Sequence, residues 1–434
     1  MKYTVQKVQD EKNNKKIPLI YFVLVCFYST IAFNPDFRGV AGLWYGINGV
    51  VLLFSLFFII KEGKSIVTNY LLWFLTFFLF CFFSTLWAID FSAGLDSIKT
   101  LSLLLLTLGS ISIVIDTKET LYKILWGFFI ACVLNALYIL LTIDLLSISA
   151  IGQRIGAENL GEIWNANAIG FFVSAGGLLS IFLLSKKNKM IINIFCILAF
   201  AIFTLIVLFT GSRTAIVLFA MLIGVYSFLF ARKHRFAMLI GIILIGLLSF
   251  YIIMNNAILY DVIGDRLENM LSGFLGSGTN EGSFNERQNM IDVGWQYFSQ
   301  NPLFGYGTNN YQILYVAEKT GRLTYSHNNF IEMLVNLGIV GFILYYSGYL
   351  YILLNTIKPA LKKDKLSILA FTFTLCYLIT HWGTVSYASS LDNFLLLIGF
   401  MAVKINRKQE NKVAANEQNY KILKNKGRRF ITIS

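Results

Sequence analysis

The feature that most constrains this chain is a succession of apolar runs, each about as long as a helix needs to cross a bilayer, roughly 17–25 residues. Twelve can be placed. They lie near 18–33, 43–60, 68–88, 97–115, 122–143, 167–185, 191–210, 214–231, 237–254, 329–355, 366–383 and 388–404. Only 14% of the residues are charged, against about 25% in an ordinary soluble domain. A content of 39 Phe and 4 Pro suits helices facing lipid and is more than a soluble core could hide. The expectation is an all-α integral membrane protein of about 12 transmembrane helices. It has a cytoplasmic N-terminus over 1–17, one bundle over 18–404 and a basic cytoplasmic tail over 405–434.

Orientation follows from Lys and Arg, because short loops rich in them stay cytoplasmic. Alternate connections carry the clusters: Lys61 and Lys64; Lys118 and Lys123; Lys186, Lys187 and Lys189; Arg232, Lys233 and Arg235; Lys358, Lys362, Lys363 and Lys365. With the Lys-rich N-terminus and the tail from Lys404 onward, 28 of the 36 basic residues fall on one side. Both termini are then cytoplasmic, which requires an even number of spans. This distribution, and not nucleic-acid binding, accounts for the formal charge of +13. The tail suits anionic headgroups of membrane lipids. Cys26, Cys81, Cys132, Cys196 and Cys376 all sit inside apolar runs without paired spacing, so neither a disulfide framework nor a metal site is expected.

The eight basic residues on the other side are Arg38, Lys99, Arg154, Arg213, Arg266, Arg287, Lys319 and Arg322. Six of them are Arg, although the chain holds 25 Lys and only 11 Arg. Topology treats the two alike, but the guanidinium fork grips phosphate or carboxylate through paired hydrogen bonds. An anionic ligand at the outer face is one reading; scattered loop residues paired with Asp and Glu are the other. Two outer connections are long, 144–166 and 255–328. The second has a Gly- and Ser-rich middle from Gly273 to Gly282 that reads as a lid or linker, followed by a capping box, Ser283-Phe284-Asn285-Glu286. The helix it opens would place Arg287 in its first turn, near free backbone N–H groups. Ile291, Trp295 and Phe298 would form an apolar stripe, and the helix would stop before Asn301-Pro302.

Of three histidines, His234 lies in a cytoplasmic basic cluster and His381 at a helix end, both expected to be structural. His327 stands in Tyr325-Ser326-His327-Asn328-Asn329 at the start of a span that Asn329 and Glu332 would cap. An imidazole there is a natural proton acceptor for a hydroxyl. Arg213, in the tight turn Thr210-Gly211-Ser212-Arg213-Thr214, lies so close to hydrocarbon that it must be paired, snorkel outward or face a cavity.

These residues carry a resemblance. Gly211-Ser212-Arg213-Thr214-Ala215 opening a span is similar to the Wzy/O-antigen ligase superfamily. So are Arg287 with Trp295, then Asn301-Pro302-Leu303-Phe304-Gly305-Tyr306-Gly307, and Ser326-His327-Asn328-Asn329 leading to Leu337-Gly338-Ile339-Val340-Gly341. Asn165-Ala166-Asn167 resembles the family's Asn-Pro-Asn but lacks the proline. The resemblance implies a GT-C-like bundle and a metal-independent, inverting glycosyltransferase without a cofactor, in the cell membrane. Its donor would be an undecaprenyl-pyrophosphate-linked oligosaccharide, with a flippase and a chain-length regulator as partners. His327, Arg287 and Arg213 would be catalytic; Arg154, Arg322, Asn167 and Asn328 would bind substrate. Polymerase and ligase remain open, the first favoured. A lipid-linked oligosaccharide flippase is the alternative from another class, although transporters tend to place charge at mid-membrane and here it clusters outside.

Overall fold

The computed structural model describes residues 19–142, 165–186, 188–231, 235–260, 264, 268, 282–318 and 323–431. Arg154, Arg266, Arg322, His234 and the glycine-rich stretch before Gly282 lie outside the described residues. A helix stands at each of the twelve expected positions, and no strand occurs among the described residues. Eight of these helices are long and apolar enough to cross a bilayer, and Leu19–Phe33 and Lys365–Thr380 are shorter apolar helices. The chain is an all-α, multi-pass membrane protein.

Packing divides the helices by role. Ala166–Leu184 is mostly buried, whereas little of the more apolar Met190–Phe209 beside it is buried, as suits a lipid-facing helix. Ala166–Leu184 also packs on Arg213–Phe230, and a Cβ at Gly170 would fall 2.1 Å from the Cβ of Ala215. Only hydrogen fits there, so the two helix N-termini are drawn together. Arg213–Phe230 packs on Lys365–Thr380, which in turn contacts both Asn329–Leu361 and Ser390–Ile431. Those two reach the N-terminal helices Asn69–Ser84 and Phe91–Val114. One apolar core runs through the bundle, with Tyr70, Phe77, Phe128, Leu178, Phe373 and Phe394 fully buried. All five cysteines are unpaired.

The two ends of the bundle differ in chemistry. At one, Lys64 and Lys404 converge on Asp116 at 3.3 and 2.9 Å, and Lys118 reaches Asp364 at 3.4 Å. Lys404 also donates to the Ile115 carbonyl and Lys365 to that of Ser185. Lys64, Lys118, Lys365 and Lys404, which the sequence put on one side, thus lie at one end, three of them paired with two aspartates. The other end holds the turns with Asn34, Ser212, His327 and His381.

Two expectations need correction. The span near 329–355 is not continuous. Gly338, at φ 63° and ψ −169°, breaks the Asn329–Leu361 helix, and the Asn301–Gly307 loop fills the gap. Ile339 N–H donates to the Pro302 carbonyl at 2.8 Å, while Tyr306 and Gly307 N–H donate to Val335 and Asn336 carbonyls at 3.0 and 2.8 Å. Every backbone group freed by such a break must find a new partner in or near the membrane, and this loop supplies them. Second, the expected stripe on Gly282–Gln300 is realised only in part: Met290 and Val293 are buried, Ile291 and Phe298 pack half-buried beside them, and Trp295 is 51% exposed. The reason is Gly294, whose missing side chain admits Ile331 where a Cβ would meet it at 2.2 Å. The last helix runs unbroken from Ser390 to Ile431, so the basic tail continues the helix of the final expected span.

Candidate functional site

The site end is built from helix N-termini. Asn165 caps Ala166–Leu184, its side chain accepting from the Asn167 N–H at 2.8 Å. Ser212 caps Arg213–Phe230, accepting from Ala215 N–H at 3.1 Å, and donates its own hydroxyl proton to the Asn167 side chain. Asn167 therefore ties two helix starts together, and Arg213 is the first residue of the second. Gly211, at φ 55°, makes the turn tight enough to bring Ser212 there. The third start is Asn329–Leu361, capped by Asn328 and not by Asn329: the Asn328 carboxamide accepts from Phe330 and Ile331 N–H at 3.0 and 3.2 Å. Each such terminus carries about half a positive charge, which favours anions.

His327 sits at the turn into this helix with φ 53°, the left-handed region. Such strain in a non-glycine residue persists only where its surroundings fix it, and here they do. Glu332, one turn into the helix and 2% exposed, accepts from Ser326 N–H at 2.8 Å. The Ser326 hydroxyl closes the loop on the Asn328 carbonyl at 2.7 Å. Tyr325 packs its ring 4.3 Å from the imidazole. Burial, and after it the Arg287 guanidinium, push the His327 pKa down to about 4. The imidazole is therefore neutral at physiological pH, and its Nδ1 is buried with no partner among the described residues. Arg287 itself is exposed, in the second turn of Gly282–Gln300 and not the first, because the helix begins earlier than the capping box implied. Its own helix's free N–H groups are thus not beside it.

A cavity of about 240 Å³ lies between these parts, lined by Arg38, Asn167, Phe172, Tyr325, Ser390 and Asp392 among others. A second, of about 440 Å³, is lined by Asp96, Asn309 and Glu332 and shares Tyr325, Val385 and Ser389 with the first. Arg287 and His327 thus meet around Tyr325, and Tyr325 faces a cavity whose wall includes Asn167, the residue bonded to Ser212. Arg213 follows Ser212 in the chain, but neither it nor Arg287 nor His327 lines either cavity. Arg154 and Arg322 lie outside the described residues.

His381 is fully buried just past the end of Lys365–Thr380. Its Nε2 is 2.7 Å from the Ser386 hydroxyl, its Nδ1 is 3.1 Å from the Tyr346 hydroxyl, and its carbonyl accepts from Asn329 N–H at 2.8 Å. The Asn329 side chain in turn accepts from Ser386 and Tyr387 N–H at 2.9 and 3.2 Å. The segment His381–Tyr387 is thereby clasped to the residue two positions after His327. Sequence reasoning missed this segment's part in the site, along with Tyr325, Glu332 and Asp392. The available signal was a carboxylate at the start of an apolar span, once at Glu332 and once at Asp392; such residues in membrane helices mark functional or network positions.

Fold and site together define a multi-pass membrane protein with a polar site at one end of its bundle, built on converging helix N-termini with arginine and histidine nearby. Residues 198–346 match the family model described as O-antigen ligase, Wzy_C. The match takes in Arg213, Arg287, His327 and the broken helix as far as Tyr346. No curated protein matches the chain.

Proposed function

We propose that this protein is a polysaccharide polymerase. It joins undecaprenyl-pyrophosphate-linked repeat units at the outer face of the cell membrane, by inverting glycosyl transfer and without a metal. The observation that carries the reading is the placement of a neutral, strained His327 and the Arg287 guanidinium around one side chain, Tyr325, which lines a cavity. In this scheme the acceptor hydroxyl oxygen attacks the anomeric carbon of the donor from the face opposite the pyrophosphate. The bond from that carbon to the phosphate oxygen breaks, and the lipid pyrophosphate departs with its electron pair. Arg287 and Arg213, with the helix N-termini at Asn167 and Asn328, hold the negative charge that develops; His327 takes the hydroxyl proton. Arg154 and Arg322 are further phosphate or acidic-sugar contacts. The energy resides in the sugar–pyrophosphate bond.

Losing one preorganised charge-stabilising group costs about 3–4 kcal/mol in the transition state, a rate loss of 10²–10³. Purified protein given lipid-linked repeat units alone should yield a ladder of longer lipid-linked products, and Arg213→Ala or Arg287→Ala should abolish it in folded, inserted protein. Wild-type ladders from both variants would sink the scheme. The description of the matching family model favours a second reading, a ligase that transfers finished glycan to a different acceptor. It predicts no ladder from repeat units alone, and product only when that other acceptor is added.

A further inference from the structure

Two residues that line the smaller cavity each carry a buried polar atom that the fold leaves unanswered. Ser390 Oγ and Asp392 Oδ1 are buried and have no hydrogen-bond partner among the described residues. Their residues are 2% and 4% exposed, and both line the cavity. The His381 Nε2 lies 3.7 Å from Asp392 Oδ1, too far for a hydrogen bond. Buried polar groups in folded proteins are paired almost without exception, so two orphans on one cavity wall call for a ligand or water. An ionised carboxylate accepts only, and a serine hydroxyl can do either. The remaining wall is largely apolar, with Phe33, Phe171, Phe172 and Leu391, and Arg38 stands at the rim over the Trp44 ring. A fitting occupant has hydroxyl donors on its edge and apolar faces above and below. A sugar ring has this form. The volume, below the usual range of about 300–1,000 Å³ for ligand pockets, admits a single ring.

Tyr325 fixes where that ring would stand relative to the chemistry. It lines the cavity, and its ring lies tilted 4.3 Å from the imidazole of His327, which lines neither cavity, so a ring bound there stands one side chain away from the imidazole. We infer that this cavity is the subsite for the acceptor sugar, with Asp392 and Ser390 taking its ring hydroxyls and so deciding which sugar receives the chain. The inference rests on the transferase reading above and deepens it. The adjoining cavity, across Tyr325, Val385 and Ser389, continues the groove for the next sugar of the acceptor.

The test is binding, measured without donor or turnover. Full-length protein in nanodiscs is titrated with the methyl glycosides of glucose, galactose, mannose and N-acetylglucosamine, and with cyclohexylmethanol as an apolar ring, followed by saturation-transfer NMR. At least one glycoside should bind saturably and cyclohexylmethanol should not. Asp392→Asn keeps the shape but places an amide where the acceptor was, and should weaken that glycoside by about tenfold or more. Ala168→Phe fills the cavity from its exposed rim and should abolish binding without entering the core, which keeps the question decidable if Asp392→Asn does not fold. No binding of any glycoside to wild type, or unchanged affinity in a folded variant, would overturn the subsite. Because the ladder assay is separate, failure of the subsite and failure of the transferase reading are distinguishable.

Discussion

At the scale of the residue, His327 carries two burdens that can be separated. Its left-handed backbone holds the turn, and its imidazole does the proposed chemistry. Asparagine tolerates φ near +60° better than other side chains, so His327→Asn should leave the turn and the thermal stability nearly intact. It should also reduce turnover by about 10²–10⁴, the usual worth of a positioned general base. A glycan ladder of normal length from this variant would remove His327 from the mechanism. The depressed pKa has a sign that can be checked. With the pKa near 4 in the free protein, the imidazole stays neutral as pH falls through the usual histidine range. The acid limb of kcat/KM should therefore lie well below pH 6. Burial and Arg287 cause the depression; a bound pyrophosphate offsets the second cause. The acid limb of kcat should accordingly sit at higher pH than that of kcat/KM, since the two report the bound and free enzyme respectively. Coincident limbs would show that donor charge does not reach the imidazole.

At the scale of the element, the broken helix and its filling loop form one unit. A Cβ on Gly338 would lie 2.3 Å from the Leu303 carbonyl oxygen at a φ that side chains rarely adopt, and a Cβ on Gly305 would lie 2.5 Å from the Val335 carbonyl oxygen. Either alanine substitution should expel the loop at a cost of about 2–5 kcal/mol, read as a lower Tm in detergent. Because the loop and the His327 turn share the Asn329–Leu337 half-helix, glycan synthesis should be lost along with it. The two glycine motifs were visible in the sequence and pointed to the family. That one plugs the other was not, because the contact joins residues about 35 positions apart through backbone groups alone, and backbone carries no sequence signature. The exposure of Trp295 on Gly282–Gln300 has a similar origin. Periodicity ranks side chains by size, but the face that docks was chosen by Gly294, where a side chain is missing. By contrast, the twelve helix positions were legible because a span's length and apolar character are local properties of the chain.

At the scale of the whole molecule, the division between a lysine end and an arginine–histidine end predicts accessibility from outside the cell. The native cysteines are buried or, for Cys26, half-buried. A cysteine introduced at the exposed position Leu323, at the site end, should react in spheroplasts with a membrane-impermeant maleimide. One at Glu410, beyond the lysine end, should react only after lysis. The reverse pattern would invert the proposed orientation and with it the supply of donor. The sequence exposed this polarity well, since the count of Lys and Arg by loop needs no knowledge of packing. It exposed the site only in part. Arg213, Arg287 and His327 stood out as charges or rare residues next to apolar spans, whereas the cavity wall from Ser386 to Asp392 is assembled from ordinary serines and one acid. Only the approach of helices distant in the chain gives these residues a common surface.

The plug at Gly338 also governs when the protein can first work. The Asn301–Gly307 loop is synthesised before the strand of backbone it completes, so its carbonyls must wait, unsatisfied or hydrated, until residues 335–340 have left the ribosome. A nascent chain released short of that point would possess most of its membrane helices and both of the arginines proposed to bind pyrophosphate, but no seat for the histidine. Assembly of the reactive end is thereby postponed until the greater part of the bundle is already in place.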